Sequence, residues 1–312
     1  MGSLNKRGIV FTFIAASLLS IIILIFLFNL SNRAQGNIQE TNIKIETINN
    51  FVKSLSNDYL KTALRTSSNQ VILSFLDRED KTDNFIDISN FKDSIMMGYY
   101  TPDVEADKLK LMFQEDLNFT LPSALEEIKE FGDGIGVNFS YKFNSNSIVI
   151  TQTETWNLDV KFIVSYEVND LKRNVKWKID NKEINAKLDI QNYRDPLYIV
   201  KENVNNTINK TTITNWNLDN FKEFVKAEHF RENPSAPSFL DRLEGTTDAN
   251  PNGIESLLDP NYYANPSVFS NVDYQYWTNT HGGCSVDGMD NSFRLETSHL
   301  LYYTQNGACE LP

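Results

Sequence analysis

The hydrophobic period of this chain changes along its length, and each change predicts an element. From Ile9 to Phe28 the residues are almost all apolar and none is charged. Twenty residues in a helix at about 1.5 Å each reach about 30 Å, the thickness of a bilayer's hydrocarbon core. The pattern predicts a leader over 1–8 and a membrane-crossing helix over 9–30. Lys6 and Arg7 precede the segment, and a basic flank stays on the cytoplasmic side. The remainder is therefore expected outside the cell membrane, on a single-pass protein whose first partner is the lipid bilayer. Asn29-Leu30-Ser31-Asn32-Arg33 offers no small-x-small cleavage signal of the secretory kind.

After the span, Ile45, Ile48, Val52, Leu55 and Tyr59 recur at spacings of three and four, with Lys53, Asp58, Lys61 and Arg65 on the other face. That is one apolar stripe on a helix. Val71, Ile72, Phe75 and Leu76 extend it, so a stalk helix is expected over 31–78, stopped by the charged run Asp77–Lys81. The stripe has too few heptads for a sustained coiled coil and is expected to pack on the chain's own sheet.

Residues 79–200 read as a connector followed by that sheet. One helix is marked in the connector by Thr120 as cap, Pro122 in its first turn and Gly132-Asp133-Gly134 at its end. The period then becomes two. Val137 to Phe143, Ile148 with Ile150, Val160 to Val168, Val175 to Ile179 and Ile184 to Ile190 alternate with polar neighbours. Five antiparallel strands are predicted, paired sequentially through turns such as Asn144-Ser145-Asn146 and Asp180-Asn181-Lys182. The fold class expected is α+β, a helix packed on an antiparallel sheet with a small irregular C-terminal module over 201–312. In that module a helix is expected from Leu218 to Phe230, and Asn233-Pro234-Ser235-Ala236-Pro237 is a break. Its aromatics, Tyr262, Tyr263, Tyr302 and Tyr303 among them, are expected to build a core.

A net charge of −12 opposes nucleic-acid binding, which needs a basic footprint, and adsorption of the exterior domain to anionic lipid. Cys284 and Cys309 lack a C-x-x-C spacing. With His281 and His299 they would suit zinc in a reducing interior; outside the membrane a disulfide is expected, worth about 3 to 4 kcal/mol in the loop-entropy model. Asn118, Asn138, Asn205 and Asn209 stand in N-x-S/T sequons that permit glycosylation. Asp248, Asn250, Asn252, Gly253 and Asp259 fit the oxygen-ligand spacing of a calcium loop; the same residues also make ordinary turns. With histidine only at His229, His281 and His299, and no G-x-S-x-G, H-E-x-x-H or phosphate-binding glycine motif, nothing marks a nucleophile or its activator. The expectation is a non-enzymatic protein, with neither a catalytic residue nor an organic cofactor assigned.

Lys6-Arg7-Gly8 before Ile9-Val10-Phe11-Thr12-Phe13, followed by one long helix on an antiparallel sheet, resembles type IV pilins and pilin-like proteins over roughly residues 6–200. The resemblance implies processing between Gly8 and Ile9 and a role in assembly with other membrane or pilin-like subunits. It departs at Phe13, where bacterial pilins carry glutamate. Ser238-Phe239-Leu240-Asp241-Arg242-Leu243-Glu244-Gly245, Gly253-Ile254-Glu255-Ser256-Leu257, Phe293-Arg294-Leu295 and His299-Leu300 resemble stretches of archaeal pilin-like surface proteins. The resemblance implies a surface or minor appendage component; the other readings are the ectodomain of a membrane accessory or ligand-binding subunit, and a tethered hydrolase.

Overall fold

The computed structural model describes residues 45–101, 104–114, 117–170, 175–263 and 269–304. The apolar segment over 9–30, the Gly8–Ile9 processing site and Cys309 lie outside the described residues. Among those described, no helix is long and apolar enough to cross a membrane.

Helix α1 is helical from 45, passes through a π turn at Leu55–Tyr59 and continues as Leu60–Thr82. Its buried positions explain the turn. Ile48, Phe51 and Leu55 are buried at the expected spacing, and the next buried residues, Leu60, Ala63 and Leu64, resume after a gap of five. One wide turn absorbs the additional residue and returns the apolar stripe to the sheet. Lys53, Asp58, Lys61 and Arg65 are exposed, as the pattern predicts, whereas Ile45 is exposed too.

The charged run does not stop this helix. Lys81 Nζ meets Asp77 Oδ2 at 2.5 Å, Arg194 Nη1 meets Asp80 Oδ2 at 3.0 Å, and Glu79 is buried. Lysine, arginine and glutamate are good helix formers, and several charges here have partners. The end comes at Asp83, whose left-handed backbone (φ 50°) lets its N–H donate to Glu79 O.

The connector holds α2, Phe91–Met97, which the sequence reading missed, and α3, Leu121–Gly134. Thr120 occupies the predicted cap position of α3, although its hydroxyl makes no capping bond.

The sheet has four strands: β1 Val137–Phe143, β2 Val149–Glu154, β3 Asn157–Asp170 and β4 Val175–Asp189. Long β3 is the spine. β4 pairs along one edge of it, and β1 and β2 lie end to end along the other, all antiparallel. Two predicted hairpins are thereby corrected. Residues 144–148 do not turn β1 back onto β2; they form an outward loop opposite Phe162 and Ile163, after which the chain rejoins the same edge. Asp180-Asn181-Lys182 is not a turn between strands but a bulge inside β4, where Asn181 takes φ 51° and donates its N–H to Ser165 Oγ at 2.9 Å. Asparagine tolerates the left-handed region in a bulge as readily as in a turn.

Along β3, Leu158, Val160, Phe162, Val164, Tyr166 and Val168 are all buried, and with the α1 stripe they form one hydrophobic core. Each fully buried aliphatic side chain of this kind contributes about 1.5–3 kcal/mol. Phe230, Phe239, Leu243, Ile254 and Leu258 join the same core, so residues beyond 201 help close it. A second core gathers Leu197, Phe221, Phe224, Leu257, Val272, Phe293 and Tyr303. It is organised by short elements: α4 Pro196–Glu202, α5 Leu218–Lys226, β5 Arg231–Glu232, α6 Phe239–Leu243, β6 Ile254–Glu255, α7 Asp273–Thr278, β7 Cys284–Ser285, β8 Arg294–Leu295 and α8 Thr297–Thr304.

Candidate functional site

Two buried charged networks hold these short elements together. Asp195 caps α4, its Oδ1 accepting the N–H groups of Leu197 and Tyr198 at 2.8 and 3.3 Å. Its Oδ2 receives Arg242 Nη1 from α6 at 2.8 Å, and Arg242 Nη2 reaches Asp273 Oδ2 at the start of α7, at 2.9 Å. The same Nη2 donates to Ile254 O at 2.5 Å, while Ser256 N donates to Asp273 Oδ2 at 3.0 Å. All three charged side chains are fully buried. Burial raises the Asp273 carboxyl to about 6 against the pull of Arg242, with Asp195 pushing the same way as burial. Burial likewise raises Asp195, while Arg242 opposes it.

The second network centres on Glu255. His299 Nε2 donates to Glu255 Oε2 at 2.8 Å and Nδ1 to Glu296 Oε1 at 2.7 Å. Arg231 pairs with Glu255 Oε1, and Tyr303 donates to that oxygen at 3.0 Å. Burial would lift the Glu255 carboxyl, but the His299 hydrogen bond and the Arg231 charge outweigh it and hold it at about 2. Burial lowers His299, yet its two carboxylates raise it on balance. Each ring nitrogen thus faces a carboxylate acceptor, an arrangement that favours the imidazolium. It locks α8 to β6 in a charge-balanced set: Arg231 and His299 against Glu255 and Glu296. No serine or cysteine nucleophile receives a hydrogen bond from this histidine among the described residues. The arrangement is chemically a fastening.

Three of the four side chains proposed as calcium ligands make hydrogen bonds of their own. Asp248 is exposed. Asn250 Nδ2 donates to Asp241 Oδ2 at 2.7 Å and its Oδ1 accepts from Asn252 N at 2.9 Å. Asn252 Nδ2 donates to Gln152 O at 2.8 Å, and Asp259, beyond β6, accepts Asn261 N and Nδ2 at 2.9 and 2.8 Å. Among the described residues no three His, Cys, Asp or Glu side chains are grouped to hold a metal. Gly253 serves packing: a Cβ there would lie 2.0 Å from Ala236 O and 2.4 Å from Asn233 O, both backbone atoms. Gly253→Ala is expected to cost about 2 kcal/mol through forced backbone movement, read as a lower denaturation midpoint; an unchanged midpoint would contradict the close approach.

Cys284 is buried on β7 within the second core, and its predicted partner Cys309 is outside the described residues. His281 is exposed and bonded to Thr280 Oγ1 at 2.8 Å, while His299 belongs to the Glu255 network.

A groove of about 600 Å³ opens between α1 and α3. Tyr59, Ala63, Ala124, Ile128 and Phe131 line it, together with the polar Asp58, Thr62, Thr66 and Glu127. The ring of Phe131, 53% exposed, stands 5.9 Å from Phe51 and 6.0 Å from Tyr59. The size and apolar lining suit a binding cleft, and an exposed phenylalanine in an apolar recess is the kind of feature that a partner covers. Sequence reading placed Tyr59 on the apolar stripe but missed Phe131, which directly precedes the glycines ending α3. No family model matches the chain, and neither a curated protein nor a solved structure matches it.

Proposed function

We propose that this chain is a pilin-like cell-surface protein, anchored by its apolar N-terminal segment with the C-terminal part outside, which acts by assembly or partner binding and performs no catalysis. The observation that carries this reading is the apolar groove beside α1, the first described helix after the apolar segment. The occupant proposed is an apolar helix of a neighbouring membrane subunit, a second copy first. The charged clusters support the same reading, because their carboxylates pair with Arg242, Arg231 and His299 and activate no nucleophile among the described residues. On this reading Cys284 and Cys309 form a disulfide that ties down the end of the chain.

Intact mass and N-terminal sequencing of protein from native membranes and from shed surface material test the assignment. A chain beginning at Ile9, enriched in filament fractions, is the expected result. A retained Met1 or Gly2 would make the segment a permanent anchor and favour an accessory subunit. Phe131→Asp addresses the groove itself: it is expected to abolish crosslinking between neighbouring subunits while stability stays within about 0.5 kcal/mol, the usual range for an exposed position. Undiminished crosslinking would remove the groove from the proposal.

A further inference from the structure

A second recess, about 440 Å³, opens on the C-terminal module. Lys222 and Lys226, one turn apart on α5, form one wall, and Asp259, Asn261, Tyr262 and Asp290 contribute the rest of the polar lining. Tyr262 is 74% exposed, the highest value among the large apolar and aromatic side chains described. An aromatic ring so exposed gains nothing from the core and is available to stack on a ligand.

The polar groups are prepared in complementary kinds. Asp259 fixes its Oδ1 on Asn261 N and Nδ2, and Asp290 fixes its Oδ1 on Ser292 N and Oγ at 2.8 and 2.5 Å. Each carboxylate thereby holds its orientation and keeps Oδ2 without a partner among the described residues. Lys222 and Lys226 make no ion pair or hydrogen bond there either, unlike Lys129, Lys161, Lys176 and Lys187, which pair with glutamates. Two ammonium donors and two carboxylate acceptors cancel in charge. An anion would meet Asp259 and Asp290, and a cation would meet the lysines. The ligand matched by this set is uncharged, presents groups that both donate and accept, and has an apolar face for the ring. Hydroxyl groups donate and accept, and the C–H face of a sugar ring is flat and apolar, suited to an aromatic side chain.

We infer that the recess formed by α5, the Asp259–Tyr262 turn and Asp290 binds a neutral saccharide, with Tyr262 stacking on the sugar ring and the lysines and aspartates taking its hydroxyls. The site is independent of the groove beside α1 and requires no filament, so it stands or falls separately from the assembly reading. The test uses full-length protein in detergent and four neutral probes: maltotriose, cellotriose, mannotriose and chitotriose. Saturation-transfer NMR is expected to detect at least one, with an affinity on the order of millimolar for so open a recess. Tyr262→Ala should weaken that binding about tenfold or more, Tyr262→Phe should retain it, and Asp290→Asn should weaken it. Binding by none of the four, binding indifferent to Tyr262→Ala, or clear preference for glucuronate over every neutral probe would each overturn the assignment. Because Tyr262 and Asp290 are exposed, the variants are expected to fold, and an unchanged melting temperature verifies this.

Discussion

Replacing Arg242 by methionine is expected to lower the folding stability by about 3–5 kcal/mol, the usual consequence of removing one partner from a buried ion cluster. Asp195 and Asp273 would remain fully buried without the guanidinium that offsets their desolvation. Lysine is no substitute, because two different nitrogens of Arg242 serve the two carboxylates and Nη2 also serves Ile254 O; a single ammonium lacks that fork. The loss should be smaller at pH 5 than at pH 7, since orphaned buried carboxyls can then take up protons and become neutral. Arg242→Met with Asp195→Asn and Asp273→Asn should recover part of the loss, which separates the penalty of stranded charge from the worth of the pairing itself. Denaturant titration of the full chain at both pH values measures all of this. A loss below 1 kcal/mol at pH 7 would mean that the cluster is hydrated and contributes little to the fold.

That cluster shows where sequence reading stops. Periodicity made α1, α3 and the inward face of β3 legible, because helix and strand spacing act within a few residues. The π turn left only the five-residue gap between Leu55 and Leu60 as its trace. The interruption in β4 was misread because Asp180-Asn181-Lys182 has turn chemistry, and only Ser165 on the neighbouring strand makes it a bulge. Arg242 and Glu255 did carry a local signal, a charge enclosed by apolar neighbours in Phe239-Leu240-Asp241-Arg242-Leu243 and Gly253-Ile254-Glu255-Ser256-Leu257. Their partners were not readable, because Asp195 and Asp273 stand 47 and 31 residues from Arg242. Resemblance had drawn attention to these same words as family features; the fold gives them a physical task, fastening short elements that bury too little surface to hold themselves. The groove had even less signature, since Phe131 and Tyr59 are ordinary helix residues until α1 and α3 lie side by side.

Glu79→Gln is expected to flatten the dependence of stability on pH. Glu79 sits on the buried side of α1, fully enclosed, and neither carboxyl oxygen has a hydrogen-bond partner. Burial pushes the group from 4.5 to about 9, with Asp195 adding to the rise and the Arg194 guanidinium only partly opposing it. The Ile86 N–H nearby, which also opposes the rise, donates instead to Leu243 O at 3.0 Å. At neutral pH the folded chain therefore holds a neutral carboxylic acid where the unfolded chain has a carboxylate. Since the folded value is the raised one, the stability it contributes is complete below about 4.5 and is lost progressively as pH rises toward 9. Each unit of pH in that window removes roughly 1.4 kcal/mol from the natural protein and nothing through this site from the glutamine variant. Asp273 and His299 are also raised and slope the same way, but both proteins retain them, so the difference between the two profiles isolates Glu79. The profiles should lie close together near pH 5 and separate by about 3 kcal/mol or more by pH 8, with the variant the more stable. Parallel profiles across that range would mean that water or a cation reaches the carboxylate, and that the interior beside α1 is wetter than its packing implies.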